Sequence, residues 1–355
     1  MRILHVDPER GWGGGEVQVS LLLAELARRG HESVVATAPD SPLAGAAPRA
    51  GARVVVCPIA NDVDLRAVPA LRRLARDADV VHFHTARAHA MAPWLGGLPV
   101  RRVVTRRMDY VPRAGPWSRF LYNRAVDRVI AISDGVRRAL EAAGVEPARI
   151  RVVPSGVDAA RYVVPPETRA MVRREWEVTA DQVAVLVVGV LEERKGHATL
   201  LEAAARLGAG SPVRLVFAGT GTREAALRAD ATARGLTVRF LGFRDDVARC
   251  LAAADVAVLP SLHEGLGVAA LEAMAAGRAV VASRVGGLAE VVVDAETGRL
   301  VPAGDPAALA TALAVLASDP AARARMGAAG AERVRDRFSA AAMADGTLAC
   351  YQGPP

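Results

Sequence analysis

The chain is predicted to be α/β, built as two doubly wound halves, each a parallel sheet wrapped by helices. Short apolar runs rich in Val, Ile and Ala alternate with longer Ala-, Leu- and Arg-rich stretches from end to end, the rhythm of βα units. That rhythm pauses once, over residues 159–180, where Pro165-Pro166 and charged sequence intervene, and then restarts. At 355 residues the chain also exceeds what one ordinary core organises. We therefore place a first domain at 1–158, a linker at 159–180 and a second domain at 181–338.

The first strand is Met1 to Val6, running into Gly11-Trp-Gly-Gly-Gly15-Glu16 and a helix that ends at Gly30. A dinucleotide fingerprint would need glycine at position 16, so that motif fails. Gly14 and Gly15 still open a helix and let a ligand approach the backbone closely. Strands follow at 31–38 and 53–58. Asp62-Val-Asp64 has the spelling of a metal-binding pair, but it lacks further acidic partners and reads as surface. The next strand contains His82 and His84, which alternation puts on one face. Residues 100–105 form another strand, and Arg106-Arg107 lies beyond it as a basic loop at the edge where doubly wound sheets bind ligands.

In the second half, Val183 to Val188 is the first strand and leads to Gly189-Val-Leu-Glu-Glu-Arg194-Lys195-Gly196. Lys195 is the only lysine, against 44 arginines. A bias that turned every other basic site into Arg would have taken this one too, so its survival argues that a compact ammonium is required there. A later strand ends at Gly219, and another at Gly242-Phe243-Arg244. The segment Asp255-Val-Ala-Val-Leu-Pro-Ser-Leu-His263-Glu264-Gly265-Leu266-Gly267 then reads as a buried strand and a glycine-containing turn. A helix follows from about Leu266 to Ala276, carrying Glu272 and stopping at Gly277. Backbone N–H groups at such a turn are free to meet an anion. Glu264 and Glu272, eight residues apart, would stand roughly 12 Å from each other on a helix. That is too far for a glycosidase pair, which needs about 5 to 9.5 Å. It suits two groups that grip opposite ends of an extended ligand.

The Glu-x7-Glu pattern followed by Ala-Met-Ala-x-Gly resembles the signature of the retaining nucleotide-sugar glycosyltransferases of family four, the group 1 type. The resemblance covers nearly all of the chain and is strongest from Gly189 to Pro302. It implies the GT-B arrangement, two Rossmann-like domains facing across a cleft, with residues from about 339 to 355 crossing back onto the first domain. Pro154-Ser-Gly-Val-Asp158 is similar to the family's domain junction, with Ser for Asn. By resemblance Glu264 lies against the donor sugar and Glu272 holds the ribose. Lys195 and a neighbouring Arg would hold the pyrophosphate, and the loop with Phe243 and Arg244 would border the base. Gly14, Gly15, Gly189, Gly219, His263, Gly265, Leu266 and Gly267 complete the expected donor site. His84 is expected near the donor sugar. The family's Arg after the first glycine is Val190 here, and Arg194 is expected to supply the missing charge. The resembling family needs no metal, so neither metal nor other cofactor is expected.

Charge is unevenly placed. Residues 1–155 carry 23 Arg and 15 acids, and ten of those arginines fall between Arg101 and Arg138. A basic half of this kind fits an anionic glycan or lipid-linked acceptor, with Arg106, Arg107 and Arg113 as candidate contacts, or peripheral contact with an anionic membrane. No recognition motif or aromatic stacking pattern points to nucleic acid. Three unpatterned cysteines indicate neither disulfides nor zinc, and no apolar run reaches the roughly 18 residues of a spanning helix. A cytoplasmic protein, peripheral on the inner face of the cell membrane when its basic half is engaged, is the expectation. Three functions remain open at this point: sugar transfer to an acceptor hydroxyl, a nucleotide-sugar epimerase of the same fold, and a noncatalytic sugar-nucleotide-binding module.

Overall fold

A computed structural model describes residues 1–108, 115–208 and 210–352. These residues divide into two compact units, Met1–Gly156 with Ala340–Pro355, and Val157–Ser339. Among the described residues, the first unit holds a seven-stranded parallel sheet. Its strands are β1 (Arg2–Asp7), β2 (Glu32–Thr37), β3 (Arg53–Val56), β4 (Val80–Phe83), β5 (Arg101–Arg106), β6 (Arg128–Ala131) and β7 (Ile150–Val152), in the order 3-2-1-4-5-6-7. The order reverses between β1 and β4, whose register pairs His5 with His82. β4 is buried along its whole length, as a strand covered on both faces must be.

Helix Gly14–Arg28 covers one face with Val19, Leu22, Leu23 and Leu26. The last helix, Ala340–Gln352, lies beside it. There Met343, Ala344, Cys350 and Tyr351 join a core with Ile3, Leu26, Val80, Val103 and Val153. Gly346 permits that approach, since a Cβ there would stand 2.8 Å from a methyl of Val153. Arg101 donates to the Cys350 carbonyl at 2.8 Å, and Arg29 pairs with Asp345 at 2.9 Å.

The second unit holds a six-stranded parallel sheet of β8 (Val183–Val188), β9 (Val213–Ala218), β10 (Val238–Phe240), β11 (Val256–Leu259), β12 (Ala279–Ser283) and β13 (Gly298–Val301). The order is 10-9-8-11-12-13, so this sheet reverses between β8 and β11. Its core gathers Val185, Leu200, Phe217, Val258, Val281 and Leu313. Fully burying a side chain such as Phe217 contributes about 1.5–3 kcal/mol.

The stretch 159–180, read from the sequence as a linker with charged helix-like sequence, has structure of its own. It carries a short 3-10 turn, Ala159–Tyr162, and helix Glu167–Glu175, and it belongs to the second unit. Arg169 and Arg173 reach from that helix to Asp255, at 2.5 and 2.7 Å, while Asp255 also accepts from the Ala184 amide. Removing one partner from so enclosed a pair costs about 3–5 kcal/mol, which makes the segment part of the fold. No helix among the described residues is long and apolar enough to cross a membrane.

Candidate functional site

In an open parallel sheet, ligands bind outside the carboxyl ends of the strands where the order reverses. In the second unit that point lies beyond β8 and β11, and it holds most of the residues singled out above. Gly189 ends β8, and a Cβ on Gly219 would come within 1.9 Å of the Gly189 carbonyl oxygen. The loop from Gly189 closes in a 3-10 turn, Glu193–Lys195, followed by Gly196 with φ +68°. A side chain at 196 would meet the Pro260 carbonyl at 1.9 Å, so glycine lets the loop lie on the turn after β11. The Leu262 amide then donates to the Arg194 carbonyl at 2.8 Å.

This docking brings Lys195 Nζ to 2.5 Å from Glu264 Oε2, and Ser261 Oγ to 3.3 Å from the same oxygen. The two residues placed together by sequence reasoning thus form an ion pair, half-buried on both sides. Helix Val268–Ala275 begins after Gly267, whose φ of +94° and proximity to Leu288 exclude a side chain. Gly265 to Gly267 are buried as the turn before this helix. Leu266 contributes its side chain to the core, and His263 is exposed.

Glu272 does not stand open. Tyr162 donates to its Oε1 at 2.9 Å. Burial pushes the Glu272 carboxyl up, and the Tyr162 hydrogen bond pulls in the opposite direction. Arg194 turns to Glu192 at 3.0 Å, and Val190 is 42% exposed. Arg244 is held by both oxygens of Asp246, at 2.7 and 2.6 Å, beside an exposed Phe243.

The first unit carries a second polar group at its own order reversal. His5, His82 and His84 are buried with their nearest ring nitrogens within 4.8 Å of one another. His82 is bonded through both nitrogens, to Tyr351 Oη and to Thr105 Oγ1, each at 2.7 Å. His5 Nδ1 and His84 Nε2 share a bond of 3.0 Å. Burial lowers His5 to about 3 and holds His82 and His84 well below the usual imidazole range, so the cluster is neutral. His5 Nε2 and His84 Nδ1 have no hydrogen-bond partner among the described residues.

Asp7 ends β1 beside this cluster, buried, with its Oδ1 accepting from the Glu9 amide at 3.2 Å. Burial raises its carboxyl to about 7, with Glu16 adding to the rise and the Glu9 amide and Arg107 opposing it. Glu16 caps helix Gly14–Arg28 by accepting from the Gly13 amide at 2.7 Å. Arg107 runs past the start of that helix, its Cδ 3.8 Å from where a Cβ on Gly15 would be. Its Nε and Nη1 are shielded from solvent without a hydrogen-bond partner among the described residues.

The basic-loop reading needs correction here. Arg106 is the last residue of β5 and is buried, so it is no surface cation, and Arg107 is largely enclosed. Arg113 lies outside the described residues. Asp64, read as surface, is buried and held by Arg66 at 2.7 Å and by the Ala60 amide. Sequence reasoning did not single out Asp7, Tyr162 or Asp255. A carboxylate closing the first strand of a doubly wound sheet was the one available signal, and it pointed to Asp7.

Two family models match the chain. "Glycosyltransferase Family 4" covers residues 12–161 and "Glycosyl transferases group 1" covers 169–333. A D-inositol 3-phosphate glycosyltransferase of Geodermatophilus obscurus is 40% identical over 241 residues, 63% of this chain and 52% of that protein. The chain thus spans about half the length of the first curated relatives it matches. The α-maltose-1-phosphate synthase of Mycolicibacterium smegmatis is 33% identical over 387 residues, covering 97% of this chain and 96% of that one. Among solved structures, Anabaena HepE in complex with UDP superposes with a TM-score of 0.88 at 23% identity, over 98% of each chain. WaaG, a glycosyltransferase involved in lipopolysaccharide biosynthesis, does so at 0.76 and 21% identity over the whole of both chains. These structural likenesses establish the fold, GT-B.

Proposed function

Because the chain belongs to the group 1, family 4 glycosyltransferases, we propose that it moves a sugar from a nucleoside-diphosphate sugar to an acceptor hydroxyl with retention of anomeric configuration. The observation that carries this reading is the Lys195–Glu264 pair at the order reversal of the second sheet. HepE was solved with UDP and with UDP-glucose, which supports a nucleotide-sugar donor here.

The leaving diphosphate gains charge as the glycosidic bond breaks. A cation on it is therefore worth more in the transition state than before. Lys195 fills that role by exchanging Glu264 for a phosphate oxygen, which frees Glu264 to accept from a sugar hydroxyl. The amides around Gly265 to Gly267 add positive potential from the helix N-terminus. Arg194 would leave Glu192 to serve as the second cation. Glu272 takes the ribose hydroxyls, and Phe243 and Arg244 border the base. The diphosphate is met by protein cations and amides, so we propose that neither metal nor other cofactor takes part.

The acceptor is proposed to be an anionic glycan or lipid-linked molecule of envelope synthesis, met at the cytoplasmic face of the membrane. Support comes from the exposed Trp117–Phe120 stack, with ring centroids 5.5 Å apart, on a helix that also carries Arg119. Aromatic and basic groups together suit an anionic interface.

Calorimetry with UDP, GDP and ADP, each with and without EDTA, tests the donor site. One diphosphate is expected to bind, unchanged by EDTA, and loss of binding in EDTA would overturn the metal-free reading. Product analysis with the matching sugar nucleotide then separates transfer from epimerisation. A glycosylated acceptor with retained configuration is expected, and an isomerised sugar with no acceptor product would refute it.

A further inference from the structure

We infer that Asp7 and Arg107 bind two adjacent neutral hydroxyls of the acceptor, those of a saccharide or cyclitol ring, the carboxylate accepting from one and the guanidinium donating to the other. This rests on the glycosyl-transfer reading and names the chemistry of the second substrate's reacting end.

Arg107 is an unusual arginine for this chain. Its Nε and Nη1 are enclosed and bonded to nothing among the described residues, although buried polar groups are normally paired. Asp7 is 1% exposed and spends one oxygen on a single backbone amide. The two charges act on each other, yet no direct hydrogen bond joins them among the described residues. His84 Nδ1 adds a third unpartnered atom nearby, since Arg107 also bears on that imidazole. All three groups sit at the carboxyl ends of β1, β4 and β5, at the reversal of strand order, where this fold class opens its ligand crevice.

Charge decides what belongs there. The charged groups acting on Asp7 are Glu9 just after its own strand, Glu16 at the start of helix Gly14–Arg28, and Arg107 beyond β5, while Glu9 in turn pairs with Arg87 and the imidazoles of His5 and His84 are neutral. That set holds three carboxylates, counting Asp7, against two cations, Arg107 and the Arg87 that pairs with Glu9 at 3.9 Å, so it has no cation to spare. A phosphate or carboxylate would add like charge to an acidic surround. A pair of hydroxyls satisfies donor and acceptor together and leaves the net charge unchanged. Any anionic part of the acceptor is then held elsewhere in the basic half, and Arg107 is not its partner.

The two alternatives predict opposite pH trends. Burial leaves Asp7 titrating at about 7. A hydroxyl needs the carboxylate, so its binding strengthens as pH rises. The ionised fraction of such a group grows about tenfold between pH 6 and pH 8. An anion is repelled by the same carboxylate, so its binding weakens over that range.

The test uses the full chain and two kinds of probe. Neutral polyols (myo-inositol and the methyl glucosides and mannosides) and inorganic phosphate are titrated by calorimetry at pH 6, 7 and 8, with and without UDP. At least one neutral polyol is expected to bind, about tenfold more tightly at pH 8 than at pH 6. Asp7→Asn keeps the shape and the Glu9 contact, and should flatten that trend to within twofold. Arg107→Met should weaken the polyol at every pH. Neither variant should change UDP affinity or the melting temperature by much. Preferred binding of phosphate that falls with pH would overturn the inference, as would failure of every polyol to bind, or a pH trend that survives Asp7→Asn. Failure of UDP to bind, with the polyol trend intact, would instead count against the donor reading alone.

Discussion

In the second unit, the charged groups of the candidate donor site already have protein partners: Lys195 on Glu264, Arg244 on Asp246, Arg194 on Glu192, Glu272 on Tyr162. At the strand-order reversal of the first unit, Arg107, His84 and His5 keep enclosed polar atoms without one among the described residues. The sheets are built alike, both parallel and both reversing beside their first strand. Their electrostatic states differ. A ligand of the second unit must trade places with internal partners, and so gains only the difference between two bonds. A ligand of the first unit makes bonds that were missing, and relieves groups that are costly to leave unpaired. Exchange favours selectivity for strongly charged ligands, whereas enclosed groups unpaired within the protein can be met by weakly polar ones.

The sharpest break in this comparison comes from Lys195. Lys195→Ala leaves Glu264 buried without its cation and removes charge from the leaving group, so kcat should fall by about 10² to 10³. Lys195→Arg should recover only part of that, because a planar fork fills a point-charge site poorly. Full activity in Lys195→Arg, measured as turnover at saturating donor, would defeat the argument from the solitary lysine.

Arg194→Ala should come next. A charge-assisted hydrogen bond to phosphate is worth about 1.5–3 kcal/mol, so turnover should fall roughly tenfold or more. Unchanged turnover would leave the phosphates to Lys195 and the backbone. Glu272→Gln should weaken nucleotide binding several-fold in calorimetry, since an amide accepts from ribose hydroxyls less strongly than a carboxylate.

The smallest effect concerns Tyr162 and has a direction fixed by charge. Burial raises the Glu272 carboxyl, and the tyrosine hydroxyl opposes that rise. Nucleotide binding that needs the carboxylate is present above its titration and lost as pH falls through it. Tyr162→Phe removes the opposing bond, so the loss should begin at a higher pH than in the unaltered chain. An unchanged acid limb in the binding profile would show that Tyr162 does not govern Glu272.

Much of the fold was legible because buried parallel strands announce themselves as β-branched runs between glycines and prolines, as at Val183–Val188 and Val256–Leu259. Lys195 was legible for another reason, its isolation among 44 arginines. The helix Glu167–Glu175 was legible as charged helix-like sequence after Pro165-Pro166, since proline is at home just before or within a first helical turn, but its docking through Asp255 was not. Arg106 was misread because an Arg-Arg pair after a strand looks like a basic loop, whereas hydrogen bonding carries the strand one residue further, into the interior. Asp7 and Arg107 stand a hundred residues apart, and the charge each feels from the other arises only when β1 and β5 are folded into one sheet. The same holds for Tyr162 on Glu272.

The last helix has a consequence for how the chain is made. Tyr351 closes the interior of the first sheet through His82, and Met343, Ala344 and Cys350 complete its core. Synthesis delivers residues 1–156 first and those residues last, with the whole of 157–339 between them. The first sheet therefore leaves the ribosome with an uncovered apolar face, and it stays uncovered until the last helix has followed the whole of 157–339. The middle unit, contiguous in sequence, has all its core residues in hand earlier. Between these two units the order of completion is thus the reverse of the order in which their strands are made: the unit that starts first is completed second.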